Sequence, residues 1–187
     1  MNLPDPLPAA VPLDDLPDAP GADATLQEAR NWLLKALISL APKRKGVQCP
    51  CCDRHDQIYG RNLNAGLALF LLRISQRFGD EWFHVNKDVT NHRDFNADYG
   101  KLEHWGFIER MPENSDPNKK SSGYWRVTPK GHQFVRGEIK VPTPILVLNN
   151  EAIGVAMNAV QIDIETALAA SGRSYAELLG KTKTVAA

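Results

Sequence analysis

The chain has 187 residues, 43% of them hydrophobic, and its 22 basic and 22 acidic residues give a formal net charge of zero. No stretch approaches the roughly 20 consecutive apolar residues of a membrane-spanning helix, and the first residues lack the basic cluster and apolar run of a secretory signal. The three cysteines all lie within residues 49–52, an odd and local set that argues against a secreted disulfide framework. We therefore expect a cytoplasmic protein with a core of ordinary size and no membrane partner.

The balanced total charge hides an uneven distribution along the chain. Six acidic residues and no lysine or arginine occur up to Glu28, whereas 19 basic and 12 acidic residues lie between Arg30 and Lys140. A basic central region attracts phosphate backbones. The acidic amino-terminal arm either competes with nucleic acid for that surface or keeps the protein soluble. A solvated surface of mixed charge is the alternative explanation for the basic region.

Residues 1–22 are rich in proline, alanine, leucine and aspartate and show no hydrophobic period. No helix can run through that many prolines, so we predict a disordered acidic arm. The pattern changes at Thr25, after which apolar residues keep one helical face until Ala41-Pro42. The sequence therefore predicts a folded region over residues 23–140 that begins with a helix.

A cysteine cluster follows a basic loop at residues 43–45. Cys49 and Cys52 have the C-x-x-C spacing of a knuckle, in which two thiolates bind one zinc ion at about 2.3 Å. We place this cysteine knuckle at residues 47–59, with Val47 and Ile58-Tyr59 as its strands. The chain has no second C-x-x-C, so a tetrahedral site would recruit other side chains or share the metal across a dimer. The candidate ligands are Cys49, Cys52, Cys51 and His55, with His84, His92 and His104 as further choices.

Three explanations of the knuckle stay open: one structural zinc ion, a metal-free reduced knuckle, and a redox pair. The strand-to-helix context of thioredoxin-like redox motifs is absent from the sequence pattern, which disfavours the redox role. A hydrolytic zinc is disfavoured because the sequence has no H-E-x-x-H spacing. One structural zinc ion is therefore the cofactor that the sequence suggests.

An apolar helix, a short strand and two further helices are predicted after the knuckle. The apolar helix runs from Leu63 through Phe78, and the strand covers residues 82–85. A stunted helix fits at residues 88–92. The next helix runs from about Arg93 to Trp105 and has one apolar face, formed by Tyr99, Leu102 and Trp105.

Two short strands around a polar loop follow, and then a closing helix. Gly106 ends the preceding helix, and Phe107 and Ile108 start a strand. Residues 112–122 contain two prolines and almost no apolar side chain, so they form a loop tip. Tyr124 to Val127 make the return strand, and Thr128-Pro129 opens a helix with a capping hydroxyl and a proline at its first position.

Residues 141–187 are predicted to form a carboxy-terminal hairpin and helix. Val141 to Leu148 reads as a strand, and Asn149-Asn150 is a turn signal before a second strand. A helical pattern begins at Ile162-Asp163 and continues after a break at Gly172. We expect this extension to pack on the preceding domain, to mediate dimerisation, or to bind a protein partner.

The segment from Tyr99 to Gly137 resembles the wing and last helix of MarR-like winged helix-turn-helix regulators. In that family a leucine shortly before a Gly-Phe/Leu-Ile-Glu-Arg sequence precedes a wing and a Leu/Val-Thr-x-Lys-Gly turn. The matching residues here are Leu102, Gly106, Phe107, Ile108, Glu109, Arg110, Val127, Thr128, Lys130 and Gly131. The resemblance implies an α+β fold that is mainly helical, with a three-stranded wing sheet.

The resemblance also implies a way of gripping double-stranded DNA. In winged helices the third helix enters the major groove and the wing touches phosphate or the minor groove. Asn96 would then read adenine and Arg93 guanine, both through bidentate contacts. Asp94 and Asp98 share that helix and would repel phosphates. The candidate DNA-binding residues are Asn91, His92, Arg93, Asn96, Lys101, Lys119, Lys120 and Arg126.

The sequence thus favours double-stranded DNA binding by a phage or bacterial transcriptional regulator. We expect a homodimer that reads paired half-sites. The alternative is a non-enzymatic adaptor or inhibitor that binds protein through a winged-helix scaffold. An enzyme is disfavoured, because the sequence has no phosphate loop, nucleophile elbow, paired-carboxylate motif or cofactor fingerprint.

The knuckle and the wing together also resemble small proteins encoded by bacteriophages and prophages. About half of the chain is covered by this resemblance, which indicates an origin and no mechanism. The residues that carry it are Cys49, Pro50, Cys52, Tyr59, Arg61, Leu63, Asn64, Leu102, Trp105, Gly106 and Gly123 to Thr128.

Overall fold

The computed structural model of the chain describes residues 18–21, 23–40, 46–89, 96–112, 122–172 and 174–182. The fold is α+β with several small sheets, which confirms the predicted class. Most of the predicted acidic arm and most of the predicted wing loop lie outside the described residues.

The chain forms two compact units. The larger unit contains the described residues of 62–143 and 160–182, and the smaller unit contains those of 18–61 and 144–159. This division cuts across the boundaries that the sequence predicts at residues 22 and 140. The predicted first helix and the cysteine segment group with the middle of the carboxy-terminal hairpin.

An apolar helix forms the centre of the larger unit. Helix α2 (Ala65–Phe78) is capped by Asn64, whose side-chain oxygen accepts a hydrogen bond from the Leu67 N–H at 2.9 Å. Gly79 follows with a φ of 54° and a ψ of −125°, a positive-φ conformation that glycine adopts readily, and the helix ends there. The predicted helix from Leu63 to Phe78 is confirmed. Its buried residues are Leu67, Ala68, Phe70, Leu71, Leu72 and Ile74.

A three-stranded antiparallel sheet lies in the same unit. Its strands are β4 (Phe83–His84), β5 (Ile108–Arg110) and β6 (Tyr124–Val127), in the spatial order β4-β6-β5. A four-residue helix, α3 (Val85–Asp88), follows β4 directly. The predicted stunted helix at 88–92 begins at the residue where α3 ends, and its residues 90–92 lie outside the described part of the chain.

The helix before β5 is a 3-10 helix, η1 (Tyr99–Trp105), which covers the later part of the helix predicted from about Arg93; residues 93–95 lie outside the described part of the chain. A 3-10 helix has three residues per turn, so the spacing of Tyr99, Leu102 and Trp105 suits it directly. Leu102 and Trp105 are buried, and the Trp105 Nε1–H donates to the Pro142 carbonyl at 2.9 Å. Gly106 ends η1 in the left-handed conformation, as predicted.

Three more helices complete the larger unit: α4 (Pro129–Val135), α5 (Ile164–Ala169) and α6 (Tyr175–Thr182). Thr128 caps α4 and Asp163 caps α5, each by accepting a hydrogen bond from the N–H three residues later. Helices α4 and α5 both pack on α2. The Tyr175 hydroxyl donates to the Val135 carbonyl at 2.6 Å, which attaches α6 to α4.

The smaller unit contains helix α1 (Leu26–Leu40) and two small sheets. Thr25 and Glu28 form a capping box, in which the Thr25 N–H donates to the Glu28 carboxylate at 2.8 Å. Strands β1 (Val47–Gln48) and β2 (His55–Asp56) pair with each other. In the second sheet β7 (Val141–Leu148) lies between β3 (Tyr59–Arg61) and β8 (Glu151–Ile162). The buried cluster of this unit is Leu37, Ile38 and Ile58.

The turn between β7 and β8 has the conformation that its two asparagines favour. Asn149 and Asn150 have φ values of 50° and 66°, so both lie in the left-handed region. Two such residues make the tight turn whose twist matches a hairpin, and asparagine tolerates this region better than most residues. The predicted hairpin is therefore present, and β8 lies at the edge of its sheet.

Candidate nucleic-acid interface and cysteine hairpin

One face of the β4-β6-β5 sheet points out of the core. Burial alternates along β6, so Trp125 and Val127 face inward while Tyr124 and Arg126 face outward. The register pairs His84 with Tyr124 and Glu109 with Arg126. We define the outer sheet face as these four outward residues together with the adjacent Trp82 and Lys87.

Arg126, a predicted phosphate contact, is held in place on the outer sheet face. Its Nε donates to Glu109 Oε1 at 2.8 Å, and its guanidinium lies 4.6 Å from the centroid of the Trp82 ring. Nη2 also donates to Glu109. Both partners stay about half exposed, and a guanidinium has five N–H donors, so donors remain for an anion. The contacts position Arg126 but also cancel part of its charge.

Lys87 is a further cation of this face that the sequence analysis did not name. It lies exposed on α3, and its Nζ is 5.9 Å from the centroid of the Tyr124 ring. A cation over an aromatic face is attracted by the ring quadrupole. The sequence analysis placed the short helix at residues 88–92 and so left Lys87 out. The available signal was a lysine three residues after the short strand β4.

Two predicted contacts of the third helix have internal partners instead. The Asn96 side-chain oxygen accepts a hydrogen bond from the Asp98 N–H at 2.9 Å, which makes an Asx turn before η1. The Lys101 Nζ lies 2.6 Å from Asp98 Oδ1. The same aspartate therefore engages both groups, so neither is held ready for a base or a phosphate. Asn91, His92, Arg93, Lys119 and Lys120 lie outside the described residues.

Carboxylates accompany the cations around the sheet. Arg110 forms a third ion pair, after those of Lys101 and Arg126: its Nη2 lies 2.8 Å from Glu103 Oε2. The Arg110 guanidinium also lies 4.9 Å from the centroid of the Trp125 ring. Exposed ion pairs add little stability but lower the local potential that a phosphate would meet. The described part of this surface is thus nearly balanced in charge.

The cysteines lie in the loop of a short hairpin, which we call the cysteine hairpin (residues 47–56). Val47 pairs with Asp56 and Gln48 with His55, so the return strand is β2. The predicted return strand, Ile58-Tyr59, is wrong for the hairpin, because Tyr59 pairs with Val147 of β7. The Cys49 N–H donates to the Arg54 carbonyl at 2.8 Å, and the Asp53 N–H donates to the Cys49 carbonyl at 2.9 Å.

The three cysteines are free thiols, of which Cys49 is half-buried and Cys51 and Cys52 are exposed. The backbone N–H groups of Cys51 and Cys52 donate to the Cys49 sulfur, and the thiols of both residues also lie within its hydrogen-bonding reach. These bonds, the Cys51 amide first, hold the pKa of the Cys49 thiol below its ordinary value. By contrast, desolvation and the neighbouring Cys49 raise the pKa of the Cys51 thiol.

His55, the nearest predicted histidine ligand, does not join the cysteines. A Cβ atom at Gly46 would lie 2.2 Å from His55 Nε2, so the imidazole occupies the space beside Gly46 at the open end of the hairpin. Among the described residues, no group of three or more His, Cys, Asp or Glu side chains converges to hold a metal ion. Within the described part of one chain, the candidate metal ligands are therefore reduced to the knuckle pair, Cys49 and Cys52.

Comparison of the chain with protein-family models, with curated proteins and with solved structures finds no match. Within the described ranges, no helix is long and apolar enough to cross a membrane.

Proposed function

We propose that the protein binds double-stranded DNA through a winged helix, as a phage or bacterial transcriptional regulator. The observation that carries this proposal is the order of elements in the larger unit. Helix α2, strand β4, helix α3, helix η1 and strands β5 and β6 follow one another, and β6 lies between β4 and β5. A winged helix has this order and this sheet, and fold alone does not decide between DNA and other partners.

The charge of the chain supports a phosphate-binding role. Between Arg30 and Lys140 basic residues outnumber acidic residues by 19 to 12. Lys119 and Lys120 lie in the segment that joins β5 to β6, where a winged helix has its wing. The outer sheet face adds Lys87 and Arg126. Electrostatic docking of these cations on phosphates is sequence-independent, and a few base contacts would add preference.

A second candidate function, a protein-binding adaptor, is favoured by the ion pairs and by β8. Lys101, Arg110 and Arg126 each pair with a carboxylate, which reduces their attraction for DNA. Strand β8 lies at a sheet edge, and Met157 on it is 83% exposed. An exposed edge with an apolar side chain is a surface on which a partner strand can add.

The test is the binding of the full chain to random double-stranded DNA, measured by fluorescence anisotropy across a salt series from about 50 to 200 mM. We expect affinity to fall steeply with salt. The double variant Lys119→Ala/Lys120→Ala should bind all sequences more weakly and show a smaller salt slope. The matched control, Lys35→Ala/Lys140→Ala, removes the same charge outside the proposed interface.

The outcomes separate the two candidate functions. Weaker binding of the wing variant than of its control supports docking through the wing. Equal losses in the two variants would mean that net charge alone drives the association. If the protein does not bind DNA at about 50 mM salt, the DNA proposal is overturned and the protein-binding adaptor is the remaining candidate function.

A further inference from the structure

The cysteine hairpin has the backbone conformation of a metal-binding knuckle. Its loop reads Cys49-Pro-Cys-Cys52-Asp53, and Asp53 has a φ of 56°. A left-handed residue directly after the second cysteine turns the chain back toward β2, and aspartate is one of the few residues that adopt this conformation readily. The hydrogen bonds of Cys49 and Asp53 across the loop fix that turn.

The same turn prepares Cys49 to act as a thiolate ligand. Two backbone N–H groups point at its sulfur, and hydrogen bonds of this kind stabilise a negative sulfur. The Cys52 thiol is near enough to exchange a hydrogen bond with Cys49. Metal ions of the zinc type bind the deprotonated sulfur. The turn, closed by the Asp53 N–H to Cys49 carbonyl hydrogen bond, leaves Cys49 and Cys52 with the spacing from which a knuckle binds one cation.

One chain does not complete a tetrahedral site from its described residues. Structural zinc takes four ligands, most often cysteine or histidine. The whole chain has three cysteines, all in this loop, and Cys49 and Cys52 are the two with the C-x-x-C spacing of a knuckle. The His55 ring lies beside Gly46, at the far end of the hairpin. The remaining ligands must come from outside the hairpin.

Cys51 and Cys52 are exposed, so the loop is open to a second molecule. Four thiolates around a divalent cation carry a net charge of −2, which needs compensation. Arg54, 63% exposed, lies at the end of the loop, and Lys43, Arg44 and Lys45 precede the hairpin in the sequence. Arg54 also pairs with Asp56 at 3.0 Å, so compensation of the thiolate charge would fall mainly to the basic sequence before the hairpin.

We propose that the cysteine hairpin is half of a structural metal site, and that Cys49 and Cys52 of two copies of the chain together bind one thiophilic divalent cation such as Zn²⁺. The metal would then be the link of a homodimer. This inference is independent of DNA binding and goes beyond it, because it assigns a ligand and an assembly to the smaller unit.

The test uses the full chain, reduced and freed of metal, and titrates it with Zn²⁺ and separately with Co²⁺. We expect saturation at about 0.5 metal ion per chain, with a rise from the mass of one 20.7 kDa chain to that of two by light scattering. The Co²⁺ form should show thiolate-to-metal charge transfer and the visible bands of a tetrahedral ion. One metal per chain without a change of mass would overturn the shared site, and so would the absence of metal binding.

Cysteine variants identify the ligands. Cys49→Ser and Cys52→Ser should each abolish the metal-dependent dimer, whereas Cys51→Ser should retain both the stoichiometry and the dimer. Loss of binding in Cys51→Ser to the same extent would overturn the assignment of ligands. The wild-type stoichiometry decides the proposal even if a variant folds poorly, and DNA binding can be measured separately with and without Zn²⁺.

Discussion

Gly131 of α4 lies against the backbone of Phe107, the residue just before β5. A Cβ atom at this position would be 2.3 Å from the Phe107 carbonyl oxygen, which is backbone and cannot rotate away. We therefore expect Gly131→Ala to lower the free energy of unfolding by about 3 kcal/mol, a large cost for added volume in a packed core. The measurement is urea unfolding followed by tryptophan fluorescence.

Gly100→Ala is the matched control for this prediction. A Cβ atom at Gly100 would have Trp125 Cη2 as its nearest neighbour, at 4.0 Å, which is ordinary contact. Its effect should stay within about 0.5 kcal/mol. Equal effects of the two substitutions would contradict the close approach of α4 to Phe107.

The cysteines should differ in reactivity when the protein is reduced and metal-free. Because the pKa of Cys49 is lowered and that of Cys51 is raised, Cys49 holds the larger thiolate fraction near neutral pH. A lower pKa also weakens the nucleophile, but with a Brønsted slope of about 0.4–0.5 the gain in thiolate dominates. We expect iodoacetamide to modify Cys49 first, with the difference vanishing as pH rises above both pKa values.

Peptide mapping by mass spectrometry over a pH series measures this order. Faster modification of Cys51, which is the more exposed of the two, would show that access and not ionisation controls the reaction. Saturation with Zn²⁺ should protect Cys49 and Cys52 together if the hairpin binds metal through both.

Side-chain partners were the part of the candidate interface that the sequence could not supply. Arg126 was recognisable as a cation on a strand, but its pairing with Glu109 follows from a register across 17 residues. Lys101 and Asp98 are three residues apart, so that pair was within reach of sequence reasoning once a helical turn was assumed.

Thr128 connects α4 to the end of η1. Its hydroxyl accepts from the Gly131 N–H at 3.1 Å and donates to the Gly106 carbonyl at 2.6 Å. Thr128→Ala removes both bonds and should cost about 1–2 kcal/mol of stability, the usual cost of losing a helix cap. Thr128→Ser keeps the hydroxyl and should recover most of that loss in thermal unfolding. If the serine variant were as unstable as the alanine variant, packing of the methyl group would be the cause.

Elements with strong local signals were predictable, but the pairing of the shortest strands was not. Helix α2 has an apolar face, an asparagine cap and a glycine stop, all of which can be read from the sequence. Strands β1 and β2 have two residues each, too few for any periodicity to show their pairing. Strand β3 pairs with β7, more than 80 residues later, and such nonlocal pairing leaves no local trace.

The division into two units follows from the same nonlocal contacts. Strand β7 begins in the larger unit, where its residue Pro142 accepts the Trp105 hydrogen bond, and continues in the smaller unit beside β3. The boundary predicted at residue 140, just before the strand that starts at Val141, does not coincide with this division. The sequence predicted most elements, while their grouping required knowledge of the pairing.

The uneven charge of the chain leads to a prediction about the amino-terminal arm. Residues 1–17 carry Asp5, Asp14 and Asp15 and no basic residue, whereas the region from Arg30 to Lys140 is basic. If the arm competes with DNA for cations, deletion of residues 1–17 should raise the affinity for random double-stranded DNA several-fold at about 50 mM salt. The gain should shrink at about 200 mM, because salt screens exposed charges.

The variant Asp5→Asn/Asp14→Asn/Asp15→Asn separates charge from length, since it keeps the arm and removes its three negative charges. If the arm competes through its charge, the asparagine variant should bind random double-stranded DNA as tightly as the deletion variant does, as measured by fluorescence anisotropy. A deletion that binds more tightly than the asparagine variant would point to steric blocking by the arm. Unchanged affinity in both variants, together with lower solubility, would assign the acidic residues to solubility, because net charge keeps a protein dispersed without touching its ligand.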